Sequence, residues 1–205
     1  MDKKYWNNYY TNHHGLGKPS SFAKSIIELL PEKCNLMELG CGNGRDSFYF
    51  AKMGHSVWAC DQSDVIINAL PTLENNSPHF YVDDVRNMAS IPDMEFDAIY
   101  ARFVLHALSE NEARQAFEWT FNHLKTGGKF YSESRSIKDP IFGDGEKMDD
   151  QIYKTDHRRR FLDKDVLISD LESLGFTIES VVEAQGLAVY KDSDPVVIRV
   201  IATKI

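Results

Sequence analysis

Three glycines, Gly40, Gly42 and Gly44, fall within the stretch ELGCGNGRDS. Glu38 stands two positions before the first of them, and Asp61 about twenty residues further along the chain. Glycine lets a backbone approach a ligand closely and adopt positive φ. A helix that begins after such a loop offers free N–H groups and the positive end of its dipole. A carboxylate closing the next strand can take both hydroxyls of a ribose. The residue types and their spacing therefore ask for a ligand that contains a nucleoside.

The spacing narrows the ligand further. A dinucleotide loop reads G-x-G-x-x-G and seats a pyrophosphate on the helix, whereas this loop reads G-x-G-x-G. Glu38 would repel a pyrophosphate and suits a cation instead. S-adenosylmethionine carries an ammonium and a sulfonium and no phosphate. Its carboxylate would need a partner, and Arg45 opens the helix after the loop.

These residues need a scaffold. From residue 36 to about 135, strand-like runs alternate with helix-like runs: LMEL, DSFYFAKM, SVWAC, DVIINALPTL, HFYV, FDAIYARFV, ENEARQAFEWTFNHL and KFYSES. That alternation predicts a parallel sheet covered on both faces. An amphipathic helix over 20–30 precedes it, capped by Ser20 or Ser21 and stopped by Pro31. A loop is expected over 136–160, then a helix capped by Asp163. Two final strands have no helix between them, so they pair antiparallel around the polar turn YKDSDP.

ELGCGNGRDS in this context resembles the first motif of class I S-adenosylmethionine-dependent methyltransferases. The resemblance runs from about residue 36 to the end of the sequence. It implies an α/β, Rossmann-like, doubly wound seven-stranded sheet, mostly parallel with an antiparallel last strand. Carried over by position, Gly40, Cys41, Gly42 and Gly44 line the methionine part of the cofactor with Glu38 and Arg45. Asp61 takes the ribose, flanked by Gln62 and Ser63. In YVDDV, Asp84 binds the adenine amino group and Val85 donates its backbone N–H, with Asp83 the alternative register. ARFVLHAL lies beneath the methyl group, with its Arg102 against the cofactor and its His106 the catalytic candidate. The loop GNGRDS is also similar to that of tellurite-resistance and thiopurine-type enzymes. YWNNYY, PSSFA and YARFVLHAL together resemble methyltransferases found among bacterial surface-polysaccharide genes.

Outside that frame, YWNNYYTNHHG is too aromatic for a disordered tail. Residues 1–19 are read as an N-terminal arm or lid on a methyltransferase domain over 20–205. Tyr10 would touch the methionine end, with Tyr9 and His13 facing the acceptor. His106 is the candidate general base for a hydroxyl acceptor. The run His157, Arg158, Arg159, Arg160 ends an irregular segment where this fold builds acceptor sites. With Arg135 it suits a phosphate or carboxylate. Neighbours in an extended segment alternate sides, so only one or two of these arginines can point inward.

The 205 residues fit one large domain, with 42% hydrophobic and 26% charged residues. A net charge of −8 argues against a nucleic-acid partner. No apolar run approaches the roughly twenty residues that span a bilayer. Cys34, Cys41 and Cys60 form no metal-type pair, so no metal is expected, and reduced thiols with no signal-like segment suggest the cytoplasm. The function expected is methylation, at oxygen, of a small anionic molecule in a surface-polysaccharide-type pathway. A thiol, tellurite or amine methyltransferase is the rival enzyme, and a non-catalytic cofactor-binding subunit the rival of another class.

Overall fold

The computed structural model describes residues 3–13 and 15–205. In chain order the elements are α1 (Lys3–Asn12), α2 (Ser21–Ile26), β1 (Asn35–Leu39), α3 (Arg45–Lys52), β2 (Ser56–Asp61), α4 (Asp64–Ile67), β3 (His79–Val82) and β4 (Phe96–Arg102). They continue as α5 (Glu110–His123), β5 (Leu124–Arg135), β6 (Glu146–Asp149), β7 (Ile152–Lys154), β8 (Arg158–Arg160), α6 (Lys164–Ser173), β9 (Phe176–Ala184) and β10 (Val197–Lys204).

The main sheet has seven strands in the order β3-β2-β1-β4-β5-β10-β9. The pairings among β1 to β5 are parallel, while β10 runs antiparallel to both β5 and β9. The antiparallel last strand expected from sequence is present, inserted between β5 and β9. Because strand side chains alternate faces, the sheet carries two cores. Met37, Leu39, Ile99, Ala101 and Phe130 pack with α5 and α6 on one face. Leu36, Ala98, Tyr100 and Tyr131 pack with Phe22, Ile26 and Phe50 of α2 and α3 on the other.

The caps follow the sequence. Ser20 accepts from Ala23 N, and Asp163 from Asp165 N and Val166 N. Ser109 and Glu112 close a capping box on α5. Three expectations change. The segment expected as a loop over 136–160 holds a small antiparallel sheet, β6-β7-β8; its strands EKMD, IYK and RRR are short and charged, without apolar alternation to announce them. The helix expected over DVIINALPTL stops at Ile67, ahead of Pro71, whose ring disfavours helix at the residue before it. The aromatic arm is the helix α1, with the ring pairs Tyr5–Tyr9, Trp6–Tyr10 and Tyr9–His13 all four apart on one turn-to-turn ladder.

Candidate active site

The C-terminal ends of β1, β2 and β4 open onto a cavity of about 850 Å³. This is the crevice where open α/β sheets take their ligands. Between β1 and α3 the glycine loop forms one wall. Gly40 and Gly42 have φ of 66° and 52°. A Cβ at Gly40 would sit 2.5 Å from Val104 Cγ2, so only bare backbone fits there. Asp61, at the end of β2, accepts from Gly42 N at 3.0 Å and Ser63 N at 2.9 Å. These bonds tie the loop to β2 and fix the carboxylate. Burial raises the Asp61 pKa against the opposing effect of the two amides.

The acids gather on this side. Glu38, Asp46, Asp61 and Asp83 all line the cavity. Glu38 is buried and accepts from the Ser47 hydroxyl. Burial first, then the charge of Asp46, raises its pKa well above the ordinary carboxylate value. Asp46 accepts from Ser20 N at 2.7 Å and from the Tyr100 hydroxyl at 2.9 Å. It thereby anchors the start of α2 to the first turn of α3.

The same cavity carries a basic cluster, His106, Arg135, His157 and Arg159, with Arg102 near enough to act on both His106 and Glu38. His106 is buried, and its Nδ1 has no hydrogen-bond partner. Burial, then the neighbouring His157, Arg159, Arg135 and Arg102, drives its pKa well below 6.5, so the imidazole is neutral at pH 7. His157 shifts the same way, through burial and then Arg159. The arginines are braced from behind: Arg135 by Asp139 at 2.6 Å, Arg159 by Asp156 at 2.9 Å, Arg102 by Glu133 at 2.7 Å. Phe103, in the left-handed region at φ 54°, lies beside two of them, with Arg102 at 4.4 Å and Arg135 at 5.9 Å from its ring centre.

Helix α1 lies across the mouth. At one end, Lys3 and Asn7 bond Asp64 at 2.8 and 3.2 Å. On the far side, Tyr5 donates to Asp156 at 2.9 Å, and the Tyr5 and Trp6 rings meet His157 at 4.7 and 5.3 Å. Tyr10 reaches in against Gly42, its Cζ 3.2 Å from where a Cβ would stand. Burial and the charge of Asp61 raise the Tyr10 pKa.

Most of the residues singled out from sequence thus share one cavity: Tyr9, Tyr10, His13, Glu38, Gly40, Cys41, Gly42, Arg45, Asp61, Gln62, Val85, Arg102, His106, Arg135, His157 and Arg159. Five lie elsewhere. Gly44 is the N-cap of α3, and a Cβ there would meet Phe48, Phe80 and Leu70 at 3.1 to 3.3 Å. Ser63 is buried as the cap of α4. Asp84 is bound to Arg86 at 2.5 Å, and Asp83 lines the cavity in its place. Arg158 and Arg160 point away from the cavity that Arg159 lines, as strand alternation in β8 requires. The sequence reading missed Asp46, although the acid stands within GNGRDS, and Phe103. Nor does the sequence announce Val189 and Tyr190 of the β9–β10 connection as cavity residues; Tyr190 opens the polar turn YKDSDP, and Val189 precedes it.

Residues 36–128 match the family model described as "Methyltransferase domain". No curated protein matches the chain in sequence. Among solved structures, the glycopeptide N-methyltransferase MtfA complexed with S-adenosyl-L-homocysteine is 19% identical at a TM-score of 0.72, over 92% of this chain and 91% of that one. A SAM-dependent methyltransferase from Methanosarcina mazei is 17% identical at 0.73, over 88% and 97%. A TehB-like SAM-dependent methyltransferase from Corynebacterium glutamicum is 18% identical at 0.71, over 98% and 99%. Among the described residues no His, Cys, Asp and Glu cluster could hold a metal ion, and no helix is long and apolar enough to cross a membrane.

Proposed function

We propose that this chain, residues 36–128 of which match the methyltransferase-domain model, is a class I S-adenosylmethionine-dependent methyltransferase and that it methylates a small anionic acceptor. The observation that carries the proposal is the division of one cavity into an acidic half against the glycine loop and a basic half of Arg102, His106, Arg135, His157 and Arg159. The acidic half suits the cofactor. Gly40 and Gly42 give bare backbone, Asp61 is fixed for a ribose, and Asp83 and Val85 stand at the end of β3 for an adenine. Glu38 faces the side where an ammonium would lie, with Arg45 for a carboxylate. When bound, S-adenosylmethionine supplies an electrophilic methyl on a sulfonium.

The basic half then orients the acceptor. Arg135 and Arg159 carry forked donors that match phosphate or carboxylate oxygens. Each is also held by an aspartate, so little side-chain freedom remains to be lost on binding. His106 is neutral and its Nδ1 is unpartnered, so it can accept a proton from an acceptor hydroxyl; an anionic oxygen needs no such base. Helix α1, over residues 3–12 of the proposed 1–19 arm, touches both halves and excludes water from them. Methylation at oxygen, in the making of a surface polysaccharide, is the finer reading.

The test is product formation from labelled S-adenosylmethionine. The acceptors are a panel of sugar phosphates, aromatic carboxylates, neutral hydroxyl compounds and thiols. Arg159→Ala should lower kcat/KM on anionic acceptors tenfold or more, on the order of 1.5–3 kcal/mol for a charged hydrogen bond. Arg158→Ala, on the other side of β8, should leave it unchanged. A preference for neutral thiols, or equal loss in both variants, would refute the anionic reading.

A further inference from the structure

Three strands put three charges in one row. In the sheet register Arg102 of β4 faces Glu133 of β5, and Glu133 faces Arg199 of β10. All three side chains lie on the face that carries Tyr100 and Tyr131, by the two-residue period of the strands. Glu133 is fully buried, and its two oxygens meet the two Nε atoms, each at 2.7 Å. Arg199 is satisfied further by Leu187 O at 2.7 Å and Ser21 Oγ at 3.0 Å. Arg102 is not: its contact with Glu133 lacks hydrogen-bond alignment, and its Nε has no hydrogen-bond partner. The guanidinium is held by charge and leans over Phe103 toward the cavity.

Resting on the anionic-acceptor reading, we infer that Glu133 is the positioning residue of the acceptor side. It balances two arginines that would otherwise repel each other in a buried row, and so aims Arg102 at the acceptor. Its backbone acts on the same place, because Glu133 O accepts from Phe103 N at 2.9 Å and holds that residue in its left-handed turn. Through Arg199 it also holds the β9–β10 connection, whose Val189 and Tyr190 are 60% and 65% exposed at the cavity rim. One residue outside the cavity lining therefore sets an arginine and a rim loop through its carboxylate, and an aromatic residue through its backbone carbonyl. An Arg102 freed from it would turn toward water or toward Glu38, and the anion would lose a fixed donor.

The experiment uses the ¹⁵N-labelled full chain, with the arginine Nε–H signal of Arg102 assigned by its loss in Arg102→Lys. Inorganic sulfate is the anion probe, and S-adenosylhomocysteine affinity by calorimetry is the control. In Glu133→Gln the Arg102 signal should shift and broaden, and sulfate affinity should fall at least fivefold. S-adenosylhomocysteine affinity should stay within twofold. Glu133→Asp keeps the charge that balances the two arginines, and with it the fold, but reaches one methylene less. It should give an intermediate shift, and it decides the matter if the glutamine variant does not fold. An Arg102 signal unchanged in both variants, or an equal loss of sulfate and S-adenosylhomocysteine affinity, overturns the inference. A wild-type chain whose Arg102 signal ignores sulfate would refute the anionic reading, while the response of that signal to Glu133 substitution would still test the positioning role.

Discussion

Gly42→Ala is expected to damage the protein through a helix that is distant in sequence. Gly42 has φ of 52°, a conformation that costs an L-residue about 1–2 kcal/mol. The added Cβ would also lie 3.2 Å from Tyr10 Cζ and nearer still to the hydroxyl oxygen. The loop cannot retreat, because Gly42 N is bound to Asp61 at 3.0 Å, so α1 must lift. Overpacking of that kind costs about 1–3 kcal/mol. The sum, about 2–5 kcal/mol, corresponds to a Tm lower by roughly 4–20 °C for a chain of this length. Tyr10→Phe removes only the offending oxygen, so the double variant should recover about 1 kcal/mol while keeping the backbone cost. Urea denaturation of the four proteins of the cycle measures the coupling, and hydrogen exchange over residues 3–13 shows whether α1 has lifted. Effects that add to within about 0.3–0.5 kcal/mol would mean that Tyr10 does not cover the loop, and the reasoning would fail.

Asp61→Ala should weaken S-adenosylhomocysteine binding by about 1.5–3 kcal/mol, the loss of a charged hydrogen-bond pair; unchanged affinity by calorimetry would place the ribose on another acid. His106 contributes a pH term whose sign is fixed. Its folded pKa lies well below the 6.5 of a free imidazole, so below that pH the unfolded chain binds more protons and stability falls as pH falls. His106→Gln should therefore lose stability less steeply than the wild type below about pH 6.5, and parallel stability curves across that window would show that the imidazole is not buried neutral.

The wall of the cavity built by the glycine loop was the more legible part because its determinants are local. A glycine must be glycine where φ is positive and backbone must lie bare, and the strand–loop–helix order around Gly40 and Gly42 is written in a single run of sequence. Asp61 could be placed beside the loop from its distance alone. Asp84 was preferred over Asp83 by position alone, whereas the structure binds Asp84 to Arg86, two residues on, and turns Asp83 to the cavity. The acceptor half depends on pairings across the sheet. That Arg159 faces in while Arg158 and Arg160 face away required the register of β8, and the segment around β8 has no apolar alternation to reveal that it is a strand. Glu133 was invisible for the same reason, because within KFYSES it is one acid among serines until β4 and β10 bring an arginine to each side.

The order in which the chain leaves the ribosome has a consequence for the placing of β10. That strand is synthesised after β9, yet it lies between β9 and β5. Until residues 197–204 emerge, β5 is an open strand edge, the kind of template on which nascent chains pair wrongly. Glu133 meanwhile faces solvent with only one of its two arginine partners made. Closing the last gap in the sheet and neutralising the row behind the acceptor side are one event. A released chain truncated before Val197 should accordingly stay sensitive to protease across β5, and the 205-residue chain should be resistant.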